Sequence, residues 1–138
     1  MNMNDLEGKV ALVTGASTGI GAAVARAYAA QGMQVVVHYN QSEAPAAQVV
    51  ADIQAAGGRA VMLRADVRDT GAIRSCVANA MAAFGRIDVL VNNAGGLVQR
   101  VPIADFTDAL FDEIMHINAL SMLAFCREVV PLMRQQGT

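Results

Sequence analysis

Thr14-Gly15-Ala16-Ser17-Thr18-Gly19-Ile20-Gly21 spaces three glycines as G-x-x-x-G-x-G, directly behind an apolar run and directly ahead of an alanine-rich stretch with helical spacing. Glycine permits a sharp turn and a close approach of backbone to a ligand, and a helix N-terminus presents free N–H groups and partial positive charge. A strand, this turn and a helix together form the context in which such a triplet binds a pyrophosphate; a tight turn without a ligand is the plainer alternative. A P-loop is excluded, because no Gly-Lys-Ser/Thr follows and the only lysine is Lys9.

Outward from the turn, short β-branched runs without polar alternation take turns with longer alanine-rich stretches, the pattern of a parallel sheet covered by helices. Lys9 to Thr14 (KVALVT), Gln34 to His38 (QVVVH), Ala60 to Ala65 (AVMLRA) and Asp88 to Asn92 (DVLVN) read as four buried strands. Helices are expected over 19–31, 43–56 and 70–84. Gly32, Gly57 and Gly85 stand where a positive φ closes a last turn, and Asp69 stands where an N-cap belongs. From about Phe106 to Gln136 the pattern is helical again, with a kink or break expected at Pro131. Right-handed crossovers make this an α/β, Rossmann-type doubly wound parallel sheet of order 3-2-1-4. We expect one domain over residues 1–138, truncated after about four strands and a long C-terminal helix. Its ligand belongs at the carboxyl ends of the strands, beside the reversal of strand order, in the turns after Thr14, His38, Ala65 and Asn92.

With 138 residues, 54% of them hydrophobic, the chain has material for one core. Its net charge of −2 and scattered arginines form no basic stripe, so a nucleic-acid partner is not expected. Cys76 and Cys126 lie far apart without metal-ligand spacing and read as buried thiols of a reducing compartment. Residues Met1 to Lys9 are polar and acidic, and no uninterrupted apolar run approaches the roughly 18 residues of a membrane span. A cytoplasmic protein without membrane association is the expectation.

Taken together these residues resemble the short-chain dehydrogenase/reductase family. Thr14 to Gly21 is similar to its glycine-rich motif, and Asn92-Asn93-Ala94-Gly95 is similar to its Asn-Asn-Ala-Gly motif after the fourth strand. Asp66-Val67 resembles the pair that contacts the adenine, and Asn118 falls where the family's active-site Asn is expected. The resemblance implies a nicotinamide dinucleotide held by Gly15, Ser17, Thr18, Gly19, Ile20, Gly21, His38, Tyr39, Asn40, Ser42, Asp66, Val67, Asn92, Ala94 and Gly95. It also implies that Asn118 distorts its helix and holds a water of the proton relay. Plainer roles stay open: Asp66 as a turn cap, the residues from Asn92 to Gly95 as loop ties, Asn118 as a polar residue satisfied between helices, and His38 as a core or surface residue.

An acid about twenty residues beyond the glycine turn would hydrogen-bond the adenosine ribose and repel a 2′-phosphate. The second strand instead ends in His38-Tyr39-Asn40-Gln41-Ser42, with no acid before Glu43. NADP(H) is therefore favoured over NAD(H), with Tyr39, Asn40 and Ser42 as neutral donors. Its usual counter-charge is missing, since neither Thr18 nor Asn40 is basic.

The family's chemistry needs a serine and a Tyr-x-x-x-Lys to move the hydroxyl proton while hydride passes between nicotinamide and a carbonyl or alcohol carbon. Tyr28 is followed four residues on by Gly32, and Tyr39 by Glu43, so no such motif exists here. Ser17, Ser42, Ser75 and Ser121 lie in elements too early for the serine's role, and the strand that would carry it should begin near Gly137-Thr138. Of the catalytic set Asn118 alone is present, and the chain by itself is expected to be inactive. Its fourth strand, apolar on both faces, would form an exposed edge, which leads us to expect self-association or poor solubility. The complete protein is expected to be a homo-oligomer acting on a small carbonyl or alcohol compound, with the loop around Arg100 beside the substrate. A non-catalytic dinucleotide-binding protein and a protein-interaction module are the alternative readings.

Overall fold

Four apolar runs become the parallel strands β1 (Val10–Val13), β2 (Gln34–Tyr39), β3 (Arg59–Arg64) and β4 (Val89–Val91), in the order β3-β2-β1-β4. The structure, a computed structural model, describes residues 4–137. Met1 to Met3, and Thr138 where the next strand was expected to approach, lie outside the described residues. Helices α1 (Gly19–Ala30), α2 (Glu43–Ala55) and α3 (Thr70–Phe84) connect the strands. Both the strand order and the alternation are those expected from the sequence, with boundaries shifted by one residue at most of the ends.

Both faces of the sheet are covered, which explains the lack of polar alternation. On β1, Val10 and Leu12 enter one core with Val36, Ile73, Cys76 and Phe125, while Ala11 and Val13 enter the other with Val35, Val37, Ala25 and Val49. All four β1 residues are fully buried. Gly32, Gly57 and Gly85 end the three helices at φ 82°, 84° and 76°. Asp69 caps α3, accepting from the amides of Gly71 at 2.8 Å and Ala72 at 3.2 Å.

Beyond β4 the chain forms a loop with a short 3-10 turn (Ile103–Asp105), then α4 (Asp108–Met115), a π-helical turn (His116–Leu120) and α5 (Ser121–Gln136). The helix starts later than Phe106 because the Thr107 hydroxyl caps it, accepting from the Leu110 amide at 3.2 Å. Pro131 does not break it: α5 runs on to Gln136. Beyond the proline, Gln136 holds the last turn to the sheet, its Oε1 accepting from the Ile87 amide at 3.2 Å and its Nε2 donating to the Ile87 carbonyl at 2.8 Å. No uninterrupted apolar run of membrane-spanning length occurs, yet Asp108–Gln136 is a continuous helix of 29 residues that is long and apolar enough by length and composition to cross a membrane. Here Ala124, Phe125 and Val129 on that helix are buried in the sheet's core.

Candidate functional site

Thr14 ends β1 at the point where the strand order reverses, and its hydroxyl joins the two diverging strands. Oγ1 accepts from the amides of Asn93 and Ala94, both at 2.9 Å, and donates to the Val91 carbonyl at 3.1 Å. Asn93 returns the contact, its Nδ2 donating to the carbonyls of Thr14 at 2.9 Å and Gly15 at 3.0 Å. Gly15 takes φ 61°, and a Cβ there would lie 3.0 Å from Ala94 Cα. At Gly21 a Cβ would overlap the Gly15 carbonyl and stand 2.5 Å from Asn93 Nδ2. These two glycines thus let helix, turn and β4 loop close on one another.

His38, at 1% exposure, lies beneath the same turn. Its Nδ1 accepts from the Gly15 amide at 3.0 Å, which assigns the proton to Nε2, 3.0 Å from the Ala65 carbonyl. One neutral imidazole therefore ties together the ends of β1, β2 and β3, with the Phe125 ring edge-on at 5.5 Å. Burial holds this imidazole below its ordinary value of 6.5, and the bond to Ala65 opposes the shift without cancelling it.

Above these braces lies an open groove of about 430 Å³. Of the residues expected from sequence, Gly15, Ser17, Thr18, Ile20, His38, Tyr39, Asn40, Ser42, Val67, Ala94 and Gly95 line it. Gly19, Gly21, Asp66 and Asn92 do not. Gly19 and Gly21 shape the turn, and the Asn92 side chain lies 3.4 Å from Cys126 Sγ. Sequence reasoning left out Gln41, Asn93 and Ile117 as lining residues. Asn93 was within reach of it, since neighbouring strand residues face opposite ways and only one of two successive asparagines can turn toward the glycine turn.

Asp66 closes its own turn. Its Oδ1 accepts from the Arg68 amide at 3.0 Å, and the Arg68 guanidinium grips both oxygens, at 2.7 Å for Nη2 to Oδ2. Those hydrogen bonds hold the carboxyl down to about 2. Asn118 lies within the π turn, against the backbone of Gly95 and Gly96. Its Nδ2 donates to the carbonyls of Ile114 at 2.8 Å and Gly96 at 2.9 Å, and its Oδ1 accepts from the Gly96 amide at 3.0 Å.

The start of α1 is open to an anion. Thr18 precedes it without a side-chain cap, and the amides of Gly19, Ile20 and Gly21 have no acceptor among the described residues. Ile20 stands 76% exposed at the same rim. An uncapped helix start beside a groove at the strand ends is a setting that suits the diphosphate of a dinucleotide. Among the described residues no group of three or more His, Cys, Asp or Glu is placed to hold a metal ion. Burial pushes the Cys76 thiol up to about 11, which removes it as a nucleophile near neutral pH.

Residues 9–138 match the family model described as short chain dehydrogenase. An uncharacterised oxidoreductase of Methylorubrum extorquens is 48% identical over 88% of this chain and 48% of its own length. A short chain dehydrogenase from Burkholderia cenocepacia, solved in complex with NADP, superposes with a TM-score of 0.89 at 39% identity, over 94% of this chain and 53% of that one. An NADH-dependent reductase, A1-R′, responsible for alginate metabolism gives a TM-score of 0.90 at 34% identity, over 97% and 55%. The chain spans about half the length of the curated relatives it matches.

Proposed function

The chain belongs to the short-chain dehydrogenase family, and from that premise we propose that it forms the cofactor-binding portion of an NAD(P)-dependent oxidoreductase acting on a carbonyl or alcohol compound. One observation carries the reading: the uncapped start of α1, the neutral end of β2 and the Ala94-Gly95 loop converge on a single groove at the strand ends. When bound, the nicotinamide supplies hydride chemistry. This chain's residues supply the setting. The amides of α1 take the diphosphate charge, Val67 and Asn40 border the adenosine, and Ala94 and Gly95 let backbone approach the nicotinamide ribose. Asn118, beside that loop, is the residue we assign to holding a water of the proton relay.

The neutral sequence from Tyr39 to Ser42 favours NADP(H) over NAD(H), because no carboxylate there opposes a 2′-phosphate. Solved relatives of both kinds exist, so the preference must rest on this chain's own side chains. Within the 138 residues there is no Tyr-x-x-x-Lys to carry the substrate proton, and a water-holding Asn cannot replace it. The chain alone is therefore assigned binding without turnover. Free Cys76 and Cys126 support a cytoplasmic setting. The exposed apolar side chains Phe111, Met115, Met122, Leu123 and Val130 of the long helix support a homo-oligomer.

Calorimetric titration of the purified chain with NADP⁺ and NAD⁺ tests the first claim, and binding is expected. No heat and no protection from thermal unfolding at millimolar dinucleotide would overturn it. Carbonyl-dependent NADPH oxidation above a no-protein control would overturn the assignment of an inactive chain.

A further inference from the structure

The end of β2 removes the acid that would reject a 2′-phosphate, but by itself it provides no positive charge to attract one. The pairing of β2 with β3 brings that charge in. Arg64, the last residue of β3, stands in register with Tyr39, so both side chains leave the sheet on the same face, the one covered by α1 and α2. Its Nε donates to the Asn40 carbonyl at 2.9 Å, which places the guanidinium against the segment that lines the groove. Four of the eight other arginines are held in ion pairs: Arg26 to Asp52, Arg68 to Asp66 and Glu113, Arg74 to Glu128, Arg86 to Asp88. The terminal nitrogens of Arg64 have no hydrogen-bond or ion-pair partner among the described residues. Nearby, the Ser42 hydroxyl does not cap α2 and is left as a donor.

We propose that Arg64 is the specificity-determining cation of this site, its free guanidinium nitrogens receiving the 2′-phosphate of the adenosine ribose together with Ser42. The inference rests on the dinucleotide reading above. A guanidinium held at Nε by a backbone carbonyl keeps two nitrogens for a charge-assisted contact with phosphate oxygens. Its charge also contributes to holding the Asp66 carboxyl down.

The test uses adenosine 2′,5′-bisphosphate and 5′-AMP, which differ only in the 2′-phosphate, titrated into the wild-type chain, Arg64→Gln and Arg64→Lys, with circular dichroism confirming that each variant folds. Wild type should favour the bisphosphate. Arg64→Gln should reduce that preference about tenfold while the affinity for 5′-AMP stays unchanged, and Arg64→Lys should keep most of it. An unchanged preference in Arg64→Gln, an equal loss for both ligands, or a wild type that does not discriminate would overturn the assignment of Arg64. A wild type that binds neither nucleotide nor NADP⁺ would instead show that the dinucleotide reading itself is wrong, and the role of Arg64 would fall with it.

Discussion

Asn118 and Gly96 exchange hydrogen bonds in both directions, the side-chain amide of the first closing on the backbone amide and carbonyl of the second. This pair fastens the π turn to the loop after β4, across 22 residues of sequence. Asn118→Ala should cost about 1 kcal/mol in urea unfolding, as expected for a few partly solvated hydrogen bonds. It should also speed hydrogen exchange at the Gly96 amide. Unchanged exchange there would mean that the loop is held by something else.

Gly21 and Gly57 form a matched contrast. Gly21→Ala should cost about 1–3 kcal/mol, because the new methyl group meets backbone at Gly15 that cannot move aside, and it should abolish dinucleotide binding. Gly57 has φ 84° and open space around it. Gly57→Ala should cost about 1 kcal/mol through backbone strain alone and leave binding intact. Thermal melts with and without NADP⁺ separate the two cases.

His38 makes stability depend on pH. Its folded-state pKa is depressed by burial, so between about pH 6.5 and that lower value the unfolded chain takes up a proton that the folded chain refuses. The stability it contributes is present above pH 6.5 and is lost as pH falls through the window. Asp66, held down to about 2, acts only in more acidic solution. Unfolding free energies from pH 7.5 to 5 should therefore fall for wild type and stay flatter for His38→Asn; parallel curves would remove His38 as the cause.

At the opposite end of the sheet, Asp88 joins β4 to β1. Its side chain is 2% exposed, and its Oδ2 accepts from the Val10 amide at 2.9 Å and from Arg86 Nε at 2.8 Å. Asp88→Ala leaves the Val10 amide without that acceptor and should cost about 2 kcal/mol in denaturant. A loss under half of that would indicate that water replaces the carboxylate.

Strand runs, glycine caps and the Asp69 cap were legible because each is a local pattern with one backbone solution. The pattern from Phe106 to Gln136 was legible only as a length of helix, and a distortion at Asn118 was expected from the resemblance alone. Its π turn carries a bond from Asn118 to a loop 22 residues away, and no periodicity reports that contact. His38 shows the same limit. Its partners, Gly15 and Ala65, come from two other strands, so its role depends on a register that the sequence does not display. Arg64 also escaped notice, because counter-charge was sought on the glycine turn and β2, whereas it arrives by lateral pairing from β3.

The Thr14 hydroxyl, bonded to three backbone groups at the diverging strand ends, leaves the wall of the groove little freedom to reorganise. A ligand arriving there meets backbone whose ordering entropy was lost during folding and is not lost again on association. Affinity at this wall should therefore vary little with changes that loosen distant loops. Replacing Thr14 by valine would expose it to them, since a rigid receptor surface would become one that must be immobilised at every encounter.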